Sequence, residues 1–162
     1  MLPIDVFQTV IENTPLFAID LVVVNEMDEL LVGKRLNAPA KNWWFVPGGR
    51  VFKNESLSDA FIRLSGSELG VQYSLTQAHL LGVFEHFYND SVFDPNTSTH
   101  YINATHLLRV EMEELNLPTE DQHSNYRWVN LSDVETDTTI HHFSKVFMSL
   151  QLIDFFNASK YR

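Results

Sequence analysis

The sequence predicts a layered α/β or α+β domain, and three observations carry that prediction. Apolar, strand-like runs occur at Leu16–Val24, Leu80–Tyr88 and Tyr101–Val110. One strongly amphipathic helix pattern, Glu55–Leu69, lies among them without regular strand–helix alternation, which points away from a barrel or a bundle. The chain has 162 residues, 44% apolar and 20% charged, enough to bury a real core. It carries no internal repeat, low-complexity tract or linker, so one domain over residues 1–162 is expected.

Along the chain, Pro3 stands at a helix start, and Val6, Phe7, Val10 and Ile11 recur at helical spacing until Pro15 stops them. Leu16–Val24 is a mostly buried strand, and Glu29–Lys34 is its hairpin partner across Asn25–Asp28. A loop over Asn37–Lys41 leads to a short aromatic strand, Trp43–Val46, ended by Pro47, Gly48 and Gly49. In the Glu55–Leu69 helix the apolar face is Leu57, Ala60, Phe61, Leu64 and Leu69, and Gly70 closes it. Two strands flank a polar loop over Asn89–Thr99. Tyr126–Val129 is a further strand, and Ile140, Phe143, Phe147, Leu150 and Ile153 predict a closing helix over Thr138–Phe156.

Eleven basic against 21 acidic residues give a net charge of −10, which repels phosphate backbones and argues against a nucleic-acid partner. There is no cysteine, which excludes disulfides, thiolate-bound zinc, iron–sulfur clusters and thiol catalysis. The N-terminus lacks a basic stretch before an apolar run, and Leu16–Val24 is broken by Asp20 and too short to span a bilayer. A cytoplasmic protein without a membrane partner is expected. The triplets at Asn54, Asn96, Asn103 and Asn157 are therefore taken as chance matches to a glycosylation signal.

The informative segment is Gly48–Val71, GGRVFKNESLSDAFIRLSGSELGV. A Gly-Gly turn feeds a loop and then a helix bearing a carboxylate, an arginine and a second carboxylate. Glycines let main-chain carbonyls approach a cation, helix carboxylates supply oxygen ligands, and Arg50 and Arg63 can hold phosphate oxygens. The segment resembles the Nudix box: G, five residues, E, seven residues, R-E-U-x-E-E-x-G-U, where U is bulky and aliphatic. Gly49, Glu55, Arg63, Glu68, Gly70 and Val71 fall in register, whereas Leu64 and Ser67 replace two glutamates and Ser65 replaces an aliphatic residue. The resemblance implies a mixed β-sheet core sandwiched between helices.

A box depleted in this way is similar to that of the family branch that hydrolyses GDP-mannose at the sugar carbon. The likeness extends to Asn13-Thr14-Pro15-Leu16, Asp20, Gly33-Lys34-Arg35, Trp44 through Val51, His86-Phe87-Tyr88, Thr99-His100-Tyr101, Asp121-Gln122-His123 and Tyr126-Arg127-Trp128. It implies one Mg²⁺ per subunit, held by the Gly48 carbonyl, Glu68 and Gln122. It implies His123 as general base, for which an unperturbed pKa of about 6.5 is suited. Arg35, Arg50 and Arg63 are assigned to the diphosphate, with pairing to Glu55 as the alternative for Arg63. Tyr101 is either a hydrogen bond to the diphosphate or a core aromatic. Asp20 and His86 interrupt apolar strands and fall near the sugar or leaving group, or else form a satisfied buried pair. His141 and His142 are expected at an exposed helix start, and the acidic runs Glu111–Glu114 and Asp133–Asp137 on solvated surface. The resemblance also implies a homodimer acting on a GDP-sugar. The alternatives are a diphosphohydrolase attacking phosphorus and a nucleotide-binding module without activity.

Overall fold

The computed structural model describes residues 3–118 and 123–150. Helix α1 spans Ile4–Asn13 directly after Pro3, whose fixed φ suits a helix entrance. β1, Leu16–Val24, turns into β2, Glu29–Arg35, as an antiparallel hairpin with Val24 opposite Leu30. The Asn25 side chain ties the turn, accepting from the amides of Met27 and Glu29 at 3.0 and 2.9 Å. β3 is only Trp44–Phe45, shorter than the expected strand. β4, Gly48–Arg50, is a strand the glycine pair conceals in the sequence.

Helix α2, Leu57–Leu69, starts at Ser56, whose hydroxyl accepts from the Asp59 amide at 3.1 Å. It ends at Gly70 with φ of 73°, a left-handed residue in the closing position. A methyl group there would strike the Asn116 main chain, so glycine is required on two counts. β5 is Ala78–Tyr88, β6 Thr99–Arg109, β7 His123–Asn130, and α3 a single turn, Leu131–Val134.

The seven strands form one mixed sheet ordered β3-β2-β1-β6-β5, with β1 and β6 parallel. Beyond the Val24–Leu30 pair the hairpin splays. β1 turns its edge to β4, with Asp20 opposite Gly48, while β2 pairs with β3 and β7. The result is a fork in the sheet, and alternation along β1 gives each face its own core. Ile19, Leu21 and Val23 pack with Phe61, Leu64 and Leu69 of α2. Val22 and Val24 pack on the other face with Phe45, Val134, Ile140 and Phe147.

Several expectations change. The closing segment is a 3₁₀ helix over His142–Leu150, entered through a bridge between Trp44 and Ile140. Thr138 and Thr139, expected inside that helix, form a turn instead, Ile140 makes the bridge, and residues 151–156 of the expected helix lie outside the described residues. Val134 is fully buried inside the acidic run, because α3 turns it onto the second core while the acids face outward. Among the described residues, no helix is long and apolar enough to cross a membrane.

Candidate active site

A cavity of about 160 Å³ opens at the fork on the face of the sheet opposite α2. β1 contributes Asp20, β2 Arg35, β4 Gly48 and Arg50, β5 His86, and β6 Tyr101 and Asn103. Six of the residues singled out in the sequence thus meet in one cavity, although they are spread over 82 positions from Asp20 to Tyr101. Gly48 sits so close to the Ile19 carbonyl and the Asp20 carboxyl that a side chain there would have no room.

Two guanidinium groups face this cavity in a chain of net charge −10, the arrangement expected of an anion site. Arg35 is anchored by Nε, which donates to the Pro39 carbonyl at 3.0 Å. Arg50 lies over the Phe7 ring at 3.8 Å, so α1 helps to aim it. Burial pushes the Asp20 carboxyl up to about 7, an effect that nearby Arg35 opposes. Burial also raises the Tyr101 phenol, against the pull of Arg50 and Arg35.

His86 is 1% exposed. Its Nδ1 lies 2.7 Å from the Asn103 amide nitrogen and 3.9 Å from an Asp20 oxygen. Its ring stacks on Phe143 at 4.3 Å, nearly parallel. Burial lowers its pKa to about 4, so it is neutral at pH 7.

Glu68 and His123 form a second group on the α2 side of the sheet. Both are buried, and His123 Nδ1 is 3.6 Å from Glu68 Oε2 and 3.3 Å from the Tyr126 hydroxyl. The strand expected from Tyr126 begins three residues earlier, so that His123 opens β7, opposite Arg35. Its ring rests against Gly33, whose lack of a side chain makes the space. Burial, then the charge of Arg35, lowers His123 from the ordinary 6.5 to about 4. Arg35 is therefore common to both groups, lining the cavity while its charge acts on His123.

Arg63 takes the alternative geometry. Its Nε donates to Glu55 Oε1 at 2.6 Å and its Nη2 to Glu55 Oε2 at 2.8 Å and to the Arg50 carbonyl at 2.9 Å. This fork binds α2 to the loop carrying Arg50, and it holds the Glu55 carboxyl below its usual range. The other box positions explain themselves by direction. Leu64 is 2% exposed and fills the contact with Gly49, whereas Ser67 is exposed on the outer side of α2.

Gln122 lies outside the described residues. His141, expected at the surface, is buried among Trp43, Phe45, Tyr88 and Phe143, while His142 is exposed. The apolar ring cluster, not a helix start, decides its environment. Asn103, Phe45 and Tyr88 were missed as cavity residues. Asn103 had a usable signal, a lone amide in an apolar strand, as Asp20 was a lone acid. At 3% exposure it is no glycosylation acceptor.

Among the described residues no three His, Cys, Asp or Glu side chains cluster as a metal site. The buried carboxylate of Glu68 and the main-chain carbonyl at Gly48 are hard oxygen donors, the class that Mg²⁺ takes while keeping waters in its remaining positions.

The NUDIX domain model matches residues 14–151. The low-salt glycan biosynthesis protein Agl8 of Haloferax volcanii is 40% identical over 126 residues, 78% of each chain. The MutT NUDIX hydrolase of Burkholderia pseudomallei shares the fold, with a TM-score of 0.70 and 24% identity over 86% of this chain and 99% of that one. The MutT protein of Methanosarcina mazei gives 0.68 and 19% identity over 88% and 97%. Nudix hydrolases generally work with a divalent cation such as Mg²⁺. With the box in register on α2 and the mixed sheet between helical layers, the chain belongs to the Nudix hydrolase family.

Proposed function

We propose that this hydrolase converts a GDP-sugar, GDP-mannose or GDP-glucose, and water to GDP and the free sugar by inverting attack at the sugar C1. The observation that carries the proposal is the reduction of the box helix to one inward carboxylate. Leu64 is committed to the core and Ser67 to solvent, leaving Glu68 beside His123 at 3.6 Å. Attack on phosphorus by the family's usual route draws on several carboxylates on that helix. Departure of a nucleoside diphosphate from carbon needs less, because the leaving group is a weak base and requires only that its growing charge be neutralised.

In this scheme the water oxygen bonds to C1, the C1–O bond to the β-phosphate breaks with its electron pair going to GDP, and His123 takes the water proton. With its pKa lowered to about 4 by burial and by the charge of Arg35, His123 keeps a free lone pair throughout the neutral range while binding the proton less strongly than an ordinary imidazole. Arg35 and Arg50 receive the diphosphate, and Tyr101 donates to it. Asp20 and His86 face the sugar. Arg63 acts through its fork with Glu55, which holds the Arg50 loop. Gly48, Glu68 and Gln122 would hold one Mg²⁺, and its charge would help to neutralise a departing diphosphate.

The name of the Haloferax relative, a glycan biosynthesis protein, supports a role in activated-sugar chemistry. We further propose one catalytic domain over residues 1–162, a homodimer, and a cytoplasmic setting. Light scattering tests the dimer, and a monomer would correct it.

Hydrolysis of GDP-mannose with Mg²⁺ in ¹⁸O-labelled water tests the bond cleaved. Unlabelled GDP with free mannose is expected. GMP and mannose 1-phosphate, one of them labelled, would move the attack to phosphorus.

A further inference from the structure

We propose that Asn103 is a positioning residue that fixes His86 as a hydrogen-bond donor toward the sugar of the substrate. The inference rests on the GDP-sugar proposal for the ligand, but the tautomer itself does not depend on it.

The geometry is local and buried. His86 on β5 stands opposite Tyr101 on β6, and Asn103 stands two pairs along, opposite Phe84, so both side chains project from the same face. The two side chains are 1% and 3% exposed, and both line the cavity. The Asn103 amide nitrogen is a donor only, and it lies 2.7 Å from His86 Nδ1. A donor at that distance requires a lone pair at Nδ1, so the single ring proton of the neutral imidazole resides on Nε2. That Nε2 is buried and has no hydrogen-bond partner among the described residues. An unpartnered buried donor costs free energy, and such a cost persists where a ligand supplies the missing acceptor.

The ring has little freedom to escape this assignment. Phe143 covers one of its faces at 4.3 Å with planes 7° apart, and Phe45 and Tyr88 meet it edge-on. A neutral imidazole held this way offers its Nε2–H to a neutral oxygen, and a sugar hydroxyl or ring oxygen is the acceptor that the proposed substrate supplies. Arg35 and Arg50 meanwhile take the anionic end. His86 thus discriminates for a sugar by donating a hydrogen bond as a neutral ring.

The test uses the full chain labelled with ¹⁵N-histidine, with His86 assigned by comparison with His86→Gln. Long-range ¹H–¹⁵N spectra at pH 7 should show the bare ring nitrogen at Nδ1. In Asn103→Asp, whose carboxylate accepts but cannot donate, the pattern should reverse. For that variant kcat/KM for GDP-mannose should fall about 10²-fold, the scale of a lost buried donor, while inhibition by GDP, which has no sugar, should change less than about twofold. Asn103→Ala, which removes the donor without adding charge, should give mixed tautomers and a fall of about tenfold. A proton on Nδ1 in the unsubstituted protein would overturn the inference whatever the substrate. So would full GDP-mannose turnover in both variants, or equal losses for GDP binding and sugar turnover. Absence of GDP release by the unsubstituted protein would sink the GDP-sugar proposal alone, and the two spectra would still decide the role of Asn103.

Discussion

Gly33→Ala tests whether the position of His123 matters to the chemistry. A methyl group built at Gly33 comes within 2.5 Å of His123 Cγ and Cδ2 and 3.0 Å of Nε2. Carbon atoms pack comfortably only from about 3.5 Å, so the ring must retreat by roughly 1 Å. It cannot do so silently, because Tyr126 and Glu68 stand 3.3 and 3.6 Å from its Nδ1. Gly33 lies within β2 and has no left-handed φ, so the backbone accepts alanine and the perturbation is confined to the ring. Overpacking of this size costs about 1–3 kcal/mol of stability, and a displacement of about 1 Å at a reacting group costs on the order of 10²-fold in rate. Two assays separate these effects: GDP release from GDP-mannose by chromatography, and the thermal midpoint, which should fall by about 2–4 °C per kcal/mol. A lowered midpoint with undiminished turnover would refute the role of His123, since the ring would have moved without consequence. If neither quantity changed, the contact with Gly33 itself would be wrong.

Three further outcomes are expected. Glu68→Gln and His123→Ala should each reduce turnover by at least about 10²-fold, and Glu68→Gln should also raise the Mg²⁺ concentration needed for half-maximal rate, measured by titrating the ion. A double-mutant cycle on Arg63→Ala and Glu55→Ala, read by urea unfolding, should give a coupling of about 1 kcal/mol, modest because the Arg63 side chain is 34% exposed; no coupling would remove the fork as a prop for the Arg50 loop. Stability should fall between pH 7 and pH 5. His86, His123 and His141 have folded pKa values near 4, below the unfolded 6.5, so the unfolded chain binds protons first and each histidine destabilises the fold as pH drops through that window. Asp20, raised to about 7, binds its proton in the fold first and opposes them in the same window. Three histidines outweigh one aspartate, so the urea midpoint should be lower at pH 5; a higher midpoint would contradict the burial of the histidines.

Much of this was legible because periodicity and single interruptions survive in one sequence. The apolar run Leu16–Val24 became β1 with those ends, and Asp20 within it did mark the cavity. The box spacing located α2 and the Arg63–Glu55 fork. What remained hidden depends on partners distant in sequence. β4 is three residues, two of them glycine, and becomes a strand only because β1 offers it an edge. The position of the His123 ring depends on Gly33 across a strand pair, and its lowered pKa depends on burial. His141 was misplaced because a polar residue in a cluster of rings resembles, in one dimension, a polar residue at a surface. The 3₁₀ conformation of His142–Leu150 follows from docking on the second core and leaves no periodic signature of its own.

The contact between Leu64 and Gly49 limits what this position can become. With a leucine at a box position where the family pattern has glutamate, 2% exposed among Ile19, Phe61 and Leu69, a carboxylate cannot be introduced there by a single substitution without cost. It would enter a hydrocarbon core as an unsolvated charge, at a cost of several kcal/mol, comparable to the whole stability of a domain this size. The packing at this position thus excludes a carboxylate. New chemistry is reached more readily by changing the residues around the fork than by rebuilding the box, because the core itself resists a second carboxylate on α2.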